Sequence, residues 1–391
     1  MSTAKVNAVS IVPRKGGNFM RNRIFSLVMF LIASLPLTVL AQADTPILEE
    51  LDSGWNVMVT DGVCSPGTPF QFYVNPGPEE SQDLMVFFNG GGACWFGQAC
   101  DLNSQPNIHT PLADMATNLP ENSKGIFDTD NVQNPLADYH MVFIPYCTGD
   151  VHLGAGPKTY SYENAAGEQV EVTAFHNGFT NSTMVLDWVY ANFSTPRNIF
   201  VAGSSAGAIG ASFYSGLIAE HYDQTPVVML ADAAGGYNTP NLPVTFNAWN
   251  TADILPTWEE YAGRDNDNLT FEDFYIASAR HNDNLTIGQY NAANDATQIM
   301  FTQLIGDPPG SFDLPQRILH NYLKIEDAVD EFHSYTAGGD VHMILQSDLA
   351  YSYEVEGVRF IDWLAGLVRG EGVGDVSCVD EPEGCVAAPG Q

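Results

Sequence analysis

Short apolar runs recur along the chain, and each ends near Gly, Asn, Asp or another small residue. Runs of four or five consecutive apolar residues are typical of strands buried on both faces of a mostly parallel sheet. Between them, apolar residues recur at helical spacing. The alternation predicts an α/β sandwich of one domain, with a central sheet flanked by helices. The predicted strands are 84–88, 141–145, 199–202 and 227–230, and the predicted helices are 181–193, 207–219 and 358–368.

Residues 238–328 differ in character from the rest of the chain. They are rich in Asn, Asp, Thr and Pro, with helical stretches such as 272–279. We expect this region to be an insertion over the sheet edge, near the face that carries the functional site, with cap or lid elements. Within it, the oxygen-rich run 265–273 lacks the central glycine of an EF-hand loop. We therefore expect a solvated acidic loop there, with calcium binding as the minor alternative.

The first 43 residues have the organisation of a secretory signal. They contain five bases and no acid, then an apolar run over 24–40, then the small-x-small sequence Ala41-Gln42-Ala43. The alternative is a membrane anchor, but the run is short for a spanning helix and contains Pro36. We expect cleavage near Ala43, a mature domain over 44–391 without a stable membrane anchor, and a secreted or periplasmic protein.

The chain is strongly acidic. Its 391 residues carry a formal net charge of −33, and loss of the five bases with the first 43 residues would take it to −38. Such a charge destabilises the compact state unless salt screens it, and at about 1 M salt the Debye length falls to about 3 Å. The charge indicates a saline habitat or an acidic protein kept soluble by its charge. It argues against nucleic acid as a partner and against long polyanionic substrates at low salt.

Six cysteines follow the predicted signal, and an even number in an exported chain indicates three disulfides. A metal site is the alternative, but the sequence has no CxxC or HExxH spacing to support it. The short loops between the cysteines favour the pairs Cys94–Cys100 and Cys378–Cys385. The remaining two cysteines then give the third predicted pair, Cys64–Cys147.

The strongest chemical signal is the pentapeptide Gly203-Ser204-Ser205-Ala206-Gly207, between a predicted strand and a predicted helix. In such a GxSxG turn the central serine takes a strained backbone conformation, and the glycines let the turn pass neighbouring backbone. The turn projects the Ser205 hydroxyl above the sheet, and the helix N-terminus behind it favours negative charge. We interpret Ser205 as a nucleophile; the alternative is an ordinary glycine-rich turn.

A second signal is the segment 89–95, NGGGACW, which follows the predicted strand 84–88. Three successive glycines are costly in folding entropy, and they let bare backbone N–H groups face a ligand. In acyl transfer, such a loop and the N–H after the nucleophile form an oxyanion hole. The donors would be Gly91, Gly92 and Ala206. A Cys94–Cys100 disulfide would hold the loop rigid; the alternative is a flexible loop pinned by that disulfide.

A serine on this kind of turn needs a base and an acid, and in the order typical of the motif both follow the serine. His342 lies in the glycine-rich segment GGDVHM before the last predicted helix, and His333 is its main rival. Three acids compete to orient the histidine, and composition and order do not choose among them. They are Asp232, Asp295 and Asp340.

Four segments together resemble the pectin acetylesterase/Notum family of carboxylesterases: NGGGACW, GSSAGAIG, PYCTGD at 145–150 and the late GGDVH. The likeness spans roughly residues 53–369. It implies an α/β-hydrolase fold and a Ser-His-Asp triad that needs no metal or organic cofactor. Matched motif by motif, the triad falls on Ser205, His342 and Asp295, the oxyanion donors on Gly91, Gly92 and Ala206, and the family disulfides on Cys64–Cys147 and Cys94–Cys100.

The resemblance implies a secreted serine esterase that removes O-acyl groups, acetyl above all, from polysaccharides. The alternatives are a broad carboxylesterase for short acyl chains or polyesters, and a non-catalytic glycan-binding protein on the same fold. In one respect the chain departs from the family. Relatives carry Trp just before the loop cysteine, whereas Trp95 follows Cys94 here. The wall of the pocket near the scissile ester therefore differs, and with it the acyl preference.

Overall fold

The computed structural model describes residues 45–105, 107–308 and 313–378. The predicted signal peptide lies outside these ranges. Within them, nine strands form one sheet. They are β1 Asn56–Val63, β2 Pro69–Asn75, β3 Asp83–Phe88, β4 His140–Ile144, β7 Asn198–Ser204, β8 Val227–Asp232, β9 Leu285–Ala292, β10 Phe332–Ala337 and β13 Val376–Ser377.

The strand order is β1-β2-β4-β3-β7-β8-β9-β10-β13. The pairs β1–β2 and β2–β4 are antiparallel, and every other neighbouring pair is parallel. The carboxyl ends of β3, β7, β8, β9 and β10 therefore meet at one edge of the sheet, which is where ligands bind in open α/β sheets. Two short hairpins complete the strands: β5 Gly156–Glu163 with β6 Gln169–His176, and β11 Glu354–Val355 with β12 Val358–Arg359.

Helices cover both faces of the sheet because its central strands are apolar on both faces. All six residues of β3 are buried, and successive side chains point to opposite sides. The α-helices are α1 Gly97–Cys100, α2 Gly178–Asn192, α3 Ala206–His221, α4 Pro243–Trp249, α5 Phe271–His281, α6 Ala296–Ile305, α7 Leu314–Glu326 and α8 Phe360–Val368. Phe88 packs in a core with α2, α3, α5 and α7, whereas Phe87 packs in a second core with α8.

This architecture confirms the predicted α/β fold, a mostly parallel sheet flanked by helices as in α/β-hydrolases. The four predicted strands are β3, β4, β7 and β8, and the first two predicted helices are α2 and α3. The third predicted helix begins two residues late. Val358 and Arg359 pair instead with Val355 and Glu354 across a tight turn, so α8 begins at Phe360.

The prediction of one continuous insertion over 238–328 needs correction. Residues 285–292 form β9, which lies between β8 and β10 in the central sheet. The strand contains the buried polar residues Gln289 and Asn291, so it lacks the continuous apolar run by which the other strands were predicted. Only the stretch between β8 and β9 and the stretch between β9 and β10 leave the sheet. In the run 265–273, Asp273 caps α5 through Thr270 and pairs with Arg264.

The predicted disulfides Cys64–Cys147 and Cys94–Cys100 are confirmed. Cys378 is buried and directly follows β13, the outermost strand of the sheet. Its predicted partner Cys385 lies outside the described residues. The first disulfide ties the end of β1 to the segment after β4, and the second closes a short loop after β3. Both therefore brace the sheet edge at which the candidate site lies.

Among the described residues, no helix is both long enough and apolar enough to cross a membrane.

Candidate active site

Ser205 occupies the turn between β7 and α3. Its backbone has φ 55° and ψ −122°, a strained conformation for a residue with a side chain. The Ser205 N–H donates to the carbonyl of Asp232 at 2.7 Å, and the Ser205 carbonyl accepts from Ala208 at 3.0 Å. The turn is thus fixed by the strand beside it and by the first turn of α3. It holds the serine at the N-terminus of a helix, where negative charge is favoured.

The glycine loop after β3 lies directly against this turn. A Cβ atom at Gly90 would stand 2.5 Å from the carbonyl oxygen of Ser204 and 2.9 Å from the Cβ of Ser205, so only glycine fits. Gly92 has φ 76°, and a side chain there would collide with the carbonyl of Ile108. Within the described residues, the N–H groups of Gly91 and Gly92 form no hydrogen bond. They remain available as donors beside Ser205.

Several contacts hold the loop in place. Besides the Cys94–Cys100 disulfide, the Cys94 N–H donates to the carbonyl of Gly149 at 2.8 Å. The Trp249 indole N–H donates to the carbonyl of Cys94 at 2.8 Å. The backbone is therefore fixed at the position where an oxyanion hole needs rigid donors.

Asp295 and His342 come together at the carboxyl ends of β9 and β10. The Nδ1 of His342 lies 2.5 Å from Oδ2 of Asp295. Asp295 is fully buried and also caps α6, since its Oδ1 accepts from Thr297 at 2.9 Å and Gln298 at 3.2 Å. An ionised carboxylate only accepts, so Nδ1 carries the proton and Nε2 is left as the acceptor that a general base needs.

The rival residues lie elsewhere. His333 is within β10, with its Nε2 3.9 Å from the carboxylate of Glu331. Asp340 is exposed on the loop that carries His342. The Asp232 carboxylate accepts from Ser204 and from the backbone of the residues after the histidine. Of the three candidate acids, Asp295 is the one that hydrogen-bonds the imidazole.

Sequence reasoning missed Gln298, which supports the acid. Its buried amide donates to Oδ2 of Asp295 at 3.1 Å and accepts from the Gly236 N–H at 2.7 Å. It thereby links the acid to the segment that leads to Tyr237 in the wall of the cavity beside Ser205. Its position, one helical turn after Asp295, was the available signal.

His152 was missed for a different reason. It precedes Ser205 in the chain, and the expected order of the triad considers only later histidines. The structure buries its ring, and Nε2 donates to the carbonyl of Asn89 at 2.9 Å, at the start of the glycine loop. Burial lowers the pKa of His152, which keeps the ring neutral. It supports the loop rather than reacting.

An apolar cavity opens beside Ser205. Its wall includes Trp95, so the tryptophan that departs from the family position still faces the site. Other parts of the wall come from α3 and from both stretches that leave the sheet around β9. The larger apolar side chains that line the cavity include Trp95, Val151, Ile209, Trp249, Phe271 and Phe301.

A separate cleft also borders the glycine loop. It is lined by Gly90 and Gly91 and by Met343, the residue after His342. The remaining lining contains hydroxyl and amide groups and no charged side chain among the described residues. Its polar members include Thr110, Thr117, Asn122, Ser123 and Gln346. The glycine loop is thus bordered both by an apolar cavity and by a polar but uncharged cleft.

The sequence resembles known proteins over the first part of this site. The family model described as Pectinacetylesterase matches residues 38–248, more than half of the chain. Those residues include the glycine loop and Ser205, whereas Asp295 and His342 lie beyond them.

Individual relatives are more distant. The palmitoleoyl-protein carboxylesterase notum1' of Xenopus laevis is 28% identical over 148 residues, which are 38% of this chain and 28% of that protein. The palmitoleoyl-protein carboxylesterase NOTUM of Homo sapiens is 25% identical over 166 residues, 42% of this chain and 31% of its own. The chain thus spans less than a third of the length of these two relatives.

A third relative is named as inactive. This palmitoleoyl-protein carboxylesterase, notum1b of Danio rerio, is 29% identical over 97 residues, 25% of this chain and 68% of that protein. The family model nevertheless covers six of the nine described strands of the central sheet, and it includes the strand-turn-helix around Ser205. The resemblance predicted from the motifs is confirmed, and the chain belongs to the pectinacetylesterase family.

Proposed function

We propose that this protein is a carboxylic ester hydrolase with Ser205 as nucleophile, His342 as general base and Asp295 as the acid that orients the histidine. The observation that carries the proposal is the 2.5 Å contact between His342 and Asp295. It lies at the same sheet edge as the strained Ser205 turn and the glycine loop. These are the parts that the Ser-His-Asp mechanism requires.

In the proposed reaction, Nε2 of His342 takes the proton from Ser205 as Oγ attacks the ester carbonyl. The N–H groups of Gly91, Gly92 and Ala206 bind the oxyanion of the tetrahedral intermediate, each donor contributing about 3 kcal/mol. His342 then returns the proton to the leaving alcohol as the ester C–O bond breaks. Water attacks the acyl-enzyme by the same route and releases the carboxylic acid.

The leaving alcohol is proposed to be a sugar of an acetylated, uncharged polysaccharide. The cleft beside Gly90 and Gly91 supports this, since hydroxyl and amide side chains match sugar hydroxyls and no charge in it selects an ionic partner. The net charge of −33 disfavours a polyanionic chain unless salt screens the repulsion. The description of the matching family, Pectinacetylesterase, favours acetyl as the acyl group.

The cavity supports a second candidate, hydrolysis of esters with longer acyl chains. The side chains beside Ser205 form a largely aromatic wall around a free volume of only about 30 Å³, so a longer acyl chain would have to part them. Each methylene buried there contributes about 0.8 kcal/mol. The names of the relatives, palmitoleoyl-protein carboxylesterases, point in the same direction.

We also propose that the protein is exported. The two disulfides in the described residues support a secreted or periplasmic location, because disulfides persist in oxidising compartments. The signal-like organisation of residues 1–43 agrees with this.

One assay tests both the activity and the acyl length. Release of p-nitrophenol from the acetate and octanoate esters is measured for wild type, Ser205→Ala and Ser53→Ala, at low salt and at about 1 M salt. We expect turnover by wild type and by Ser53→Ala, an exposed serine far along the chain from the site, and none by Ser205→Ala. The acetate-to-octanoate ratio distinguishes the two candidates.

A folded wild-type protein without turnover at either salt concentration would contradict the proposal. Binding of uncharged glycans by the same protein would then be the function to measure. One relative, from Danio rerio, is itself named an inactive carboxylesterase.

A further inference from the structure

Asp232 is the last residue of β8 and touches both segments that carry the proposed catalytic groups. It is fully buried. Its Oδ2 accepts from the Ser204 hydroxyl at 2.8 Å, next to the nucleophile, and its backbone carbonyl accepts from the Ser205 N–H at 2.7 Å. One residue therefore binds both the side chain before the serine and the backbone of the serine itself.

The same carboxylate binds the loop that carries the histidine. Oδ1 accepts from the Ile344 N–H at 3.1 Å, and Oδ2 accepts from the Leu345 N–H at 3.0 Å. These are the second and third residues after His342, and two adjacent N–H groups that converge on one anion form a backbone nest. The contacts span more than a hundred residues of sequence, so nothing local in the chain replaces them.

The loop needs such support because of Met343. This residue has φ 69°, in the left-handed region that side chains disfavour. The strain falls between His342 and the two N–H groups that Asp232 binds. Without the carboxylate, the loop would be free to relax and to carry the imidazole away from Ser205.

Asp232 also places a charge near the imidazole. Burial raises its pKa to about 6, while its hydrogen bonds and the neighbouring His342 act in the opposite direction. The titratable groups that face it are His342 from the loop after β10 and Tyr290 from β9. At pH 8 the carboxylate is ionised and would stabilise the imidazolium that forms during catalysis.

We propose that Asp232 is a positioning residue of this reaction, whose carboxylate fixes the His342 loop against the Ser205 turn. This role rests on the proposed esterase function. It is distinct from that of Asp295, which alone hydrogen-bonds the imidazole among the candidate acids.

The test compares Asp232→Asn and Ser204→Ala with wild type and Asp340→Asn. Asparagine keeps the shape of the side chain but turns an NH2 group toward the Leu345 N–H or toward the Ile344 N–H. We expect kcat for a p-nitrophenyl ester to fall about 100-fold in Asp232→Asn with KM within about threefold, because misplaced groups lose rate rather than binding. Ser204→Ala removes one hydrogen bond of three and should lose about fivefold. Asp340→Asn, on the same loop but exposed, should match wild type.

The pH profile separates positioning from a general structural role. In wild type, the Asp232 carboxylate, whose pKa is raised to about 6, becomes neutral as the pH falls through that value. Asp232→Asn is neutral at every pH, so the ratio of wild-type to variant kcat/KM should be largest near pH 8 and should fall as the pH drops below about 6. Thermal unfolding and far-UV circular dichroism, which do not depend on the catalytic groups, report how much of each variant is folded.

Wild-type kcat and a wild-type pH profile in Asp232→Asn would overturn this role while leaving the esterase proposal standing. So would a loss of kcat explained entirely by a smaller folded fraction of the variant. If Asp232→Asn does not fold, Ser204→Ala decides: undiminished kcat in that variant counts against the role. Absence of turnover in wild type overturns the proposed function and this role with it.

Discussion

The two catalytic segments of the proposed triad are held by different means. The Ser205 turn lies within one continuous strand-turn-helix, and its bonds to Asp232 reach only to the next strand, 28 residues along the chain from Ser204. The His342 loop depends on side chains far away in sequence, Asp295 at a separation of 47 residues and Asp232 at 112 and more. The serine side should therefore be sensitive to added volume, and the histidine side to the loss of single carboxylates.

The largest effect should come from the histidine side. Asp295→Asn keeps the size of the acid but offers an NH2 group where Nδ1 of His342 now donates, which favours the wrong tautomer. We expect kcat for p-nitrophenyl acetate to fall about 10⁴-fold, as for the equivalent change in other triads. Asp340→Asn, two residues from the histidine and exposed, is the matched control and should stay within about twofold.

Equal losses in the Asp295 and Asp340 variants would mean that general charge near the loop matters rather than the specific hydrogen bond. A fully active Asp295→Asn would remove the acid from the proposed triad. Either result would abolish the contrast between a local serine turn and a histidine loop that depends on distant carboxylates.

The next effect tests the serine side by adding volume. Gly90→Ala places a methyl group 2.5 Å from the Ser204 carbonyl and 2.9 Å from the Ser205 Cβ, so the glycine loop or the turn must shift. A displacement of about 1 Å at a catalytic group costs about 100-fold in rate, and overpacking costs about 1–3 kcal/mol in the free energy of unfolding. Steady-state kinetics and urea unfolding measure the two. Gly372→Ala, with open space around the new methyl group, should change neither.

How much of this the sequence reveals follows the same division. The apolar strand before Ser205, the glycine-flanked turn and the loop of three glycines are each a continuous stretch of sequence. The structure has a strand, a turn and a loop at the predicted residues. The strand β9 was hidden, because its polar surroundings at 238–328 outweighed a short buried run. The choice of Asp295 over Asp232 also lay outside the reach of composition and order, since it depends on which strand end faces the imidazole. The family resemblance supplied that choice instead.

A smaller effect is expected from the two disulfides, which brace the same edge differently. Removing Cys64–Cys147 by a double alanine substitution frees a loop of 83 residues and should lower the free energy of unfolding by about 4–5 kcal/mol. Removing Cys94–Cys100 frees only six residues, worth about 2 kcal/mol. The second pair holds the glycine loop, however, so its loss should lower kcat about tenfold.

Kinetics at a temperature where both variants are folded, together with urea unfolding, separate stability from rate. The contrast fails if the Cys64–Cys147 variant loses rate and the Cys94–Cys100 variant does not. In that case the hydrogen bonds of the glycine loop, such as those with Trp249 and Gly149, would hold it without the disulfide.

Substitution of the buried His176 should have the smallest effect of all, since we expect it to leave turnover at neutral pH unchanged. Burial lowers the pKa of His176 from 6.5 to about 4, and its Nδ1 donates to the carbonyl of Thr148 while Nε2 faces the Tyr160 hydroxyl. The unfolded chain therefore binds a proton between pH 6.5 and 4 that the folded chain refuses. The contribution of His176 to the free energy of unfolding is complete above pH 6.5 and is lost as the pH falls toward 4. The loss is about 2 kcal/mol between pH 7.5 and pH 5.

Urea unfolding at the two pH values measures this loss. The free energy of unfolding of His176→Gln should fall by about 2 kcal/mol less than that of wild type, whereas the exposed His320→Gln should behave as wild type. Asp232, whose pKa is raised to about 6, acts in the opposite direction but is present in every variant and cancels in the comparison. If His176→Gln and wild type lose the same free energy on acidification, the histidine does not limit the acid stability of this edge, and the glycine loop tolerates a charge behind it.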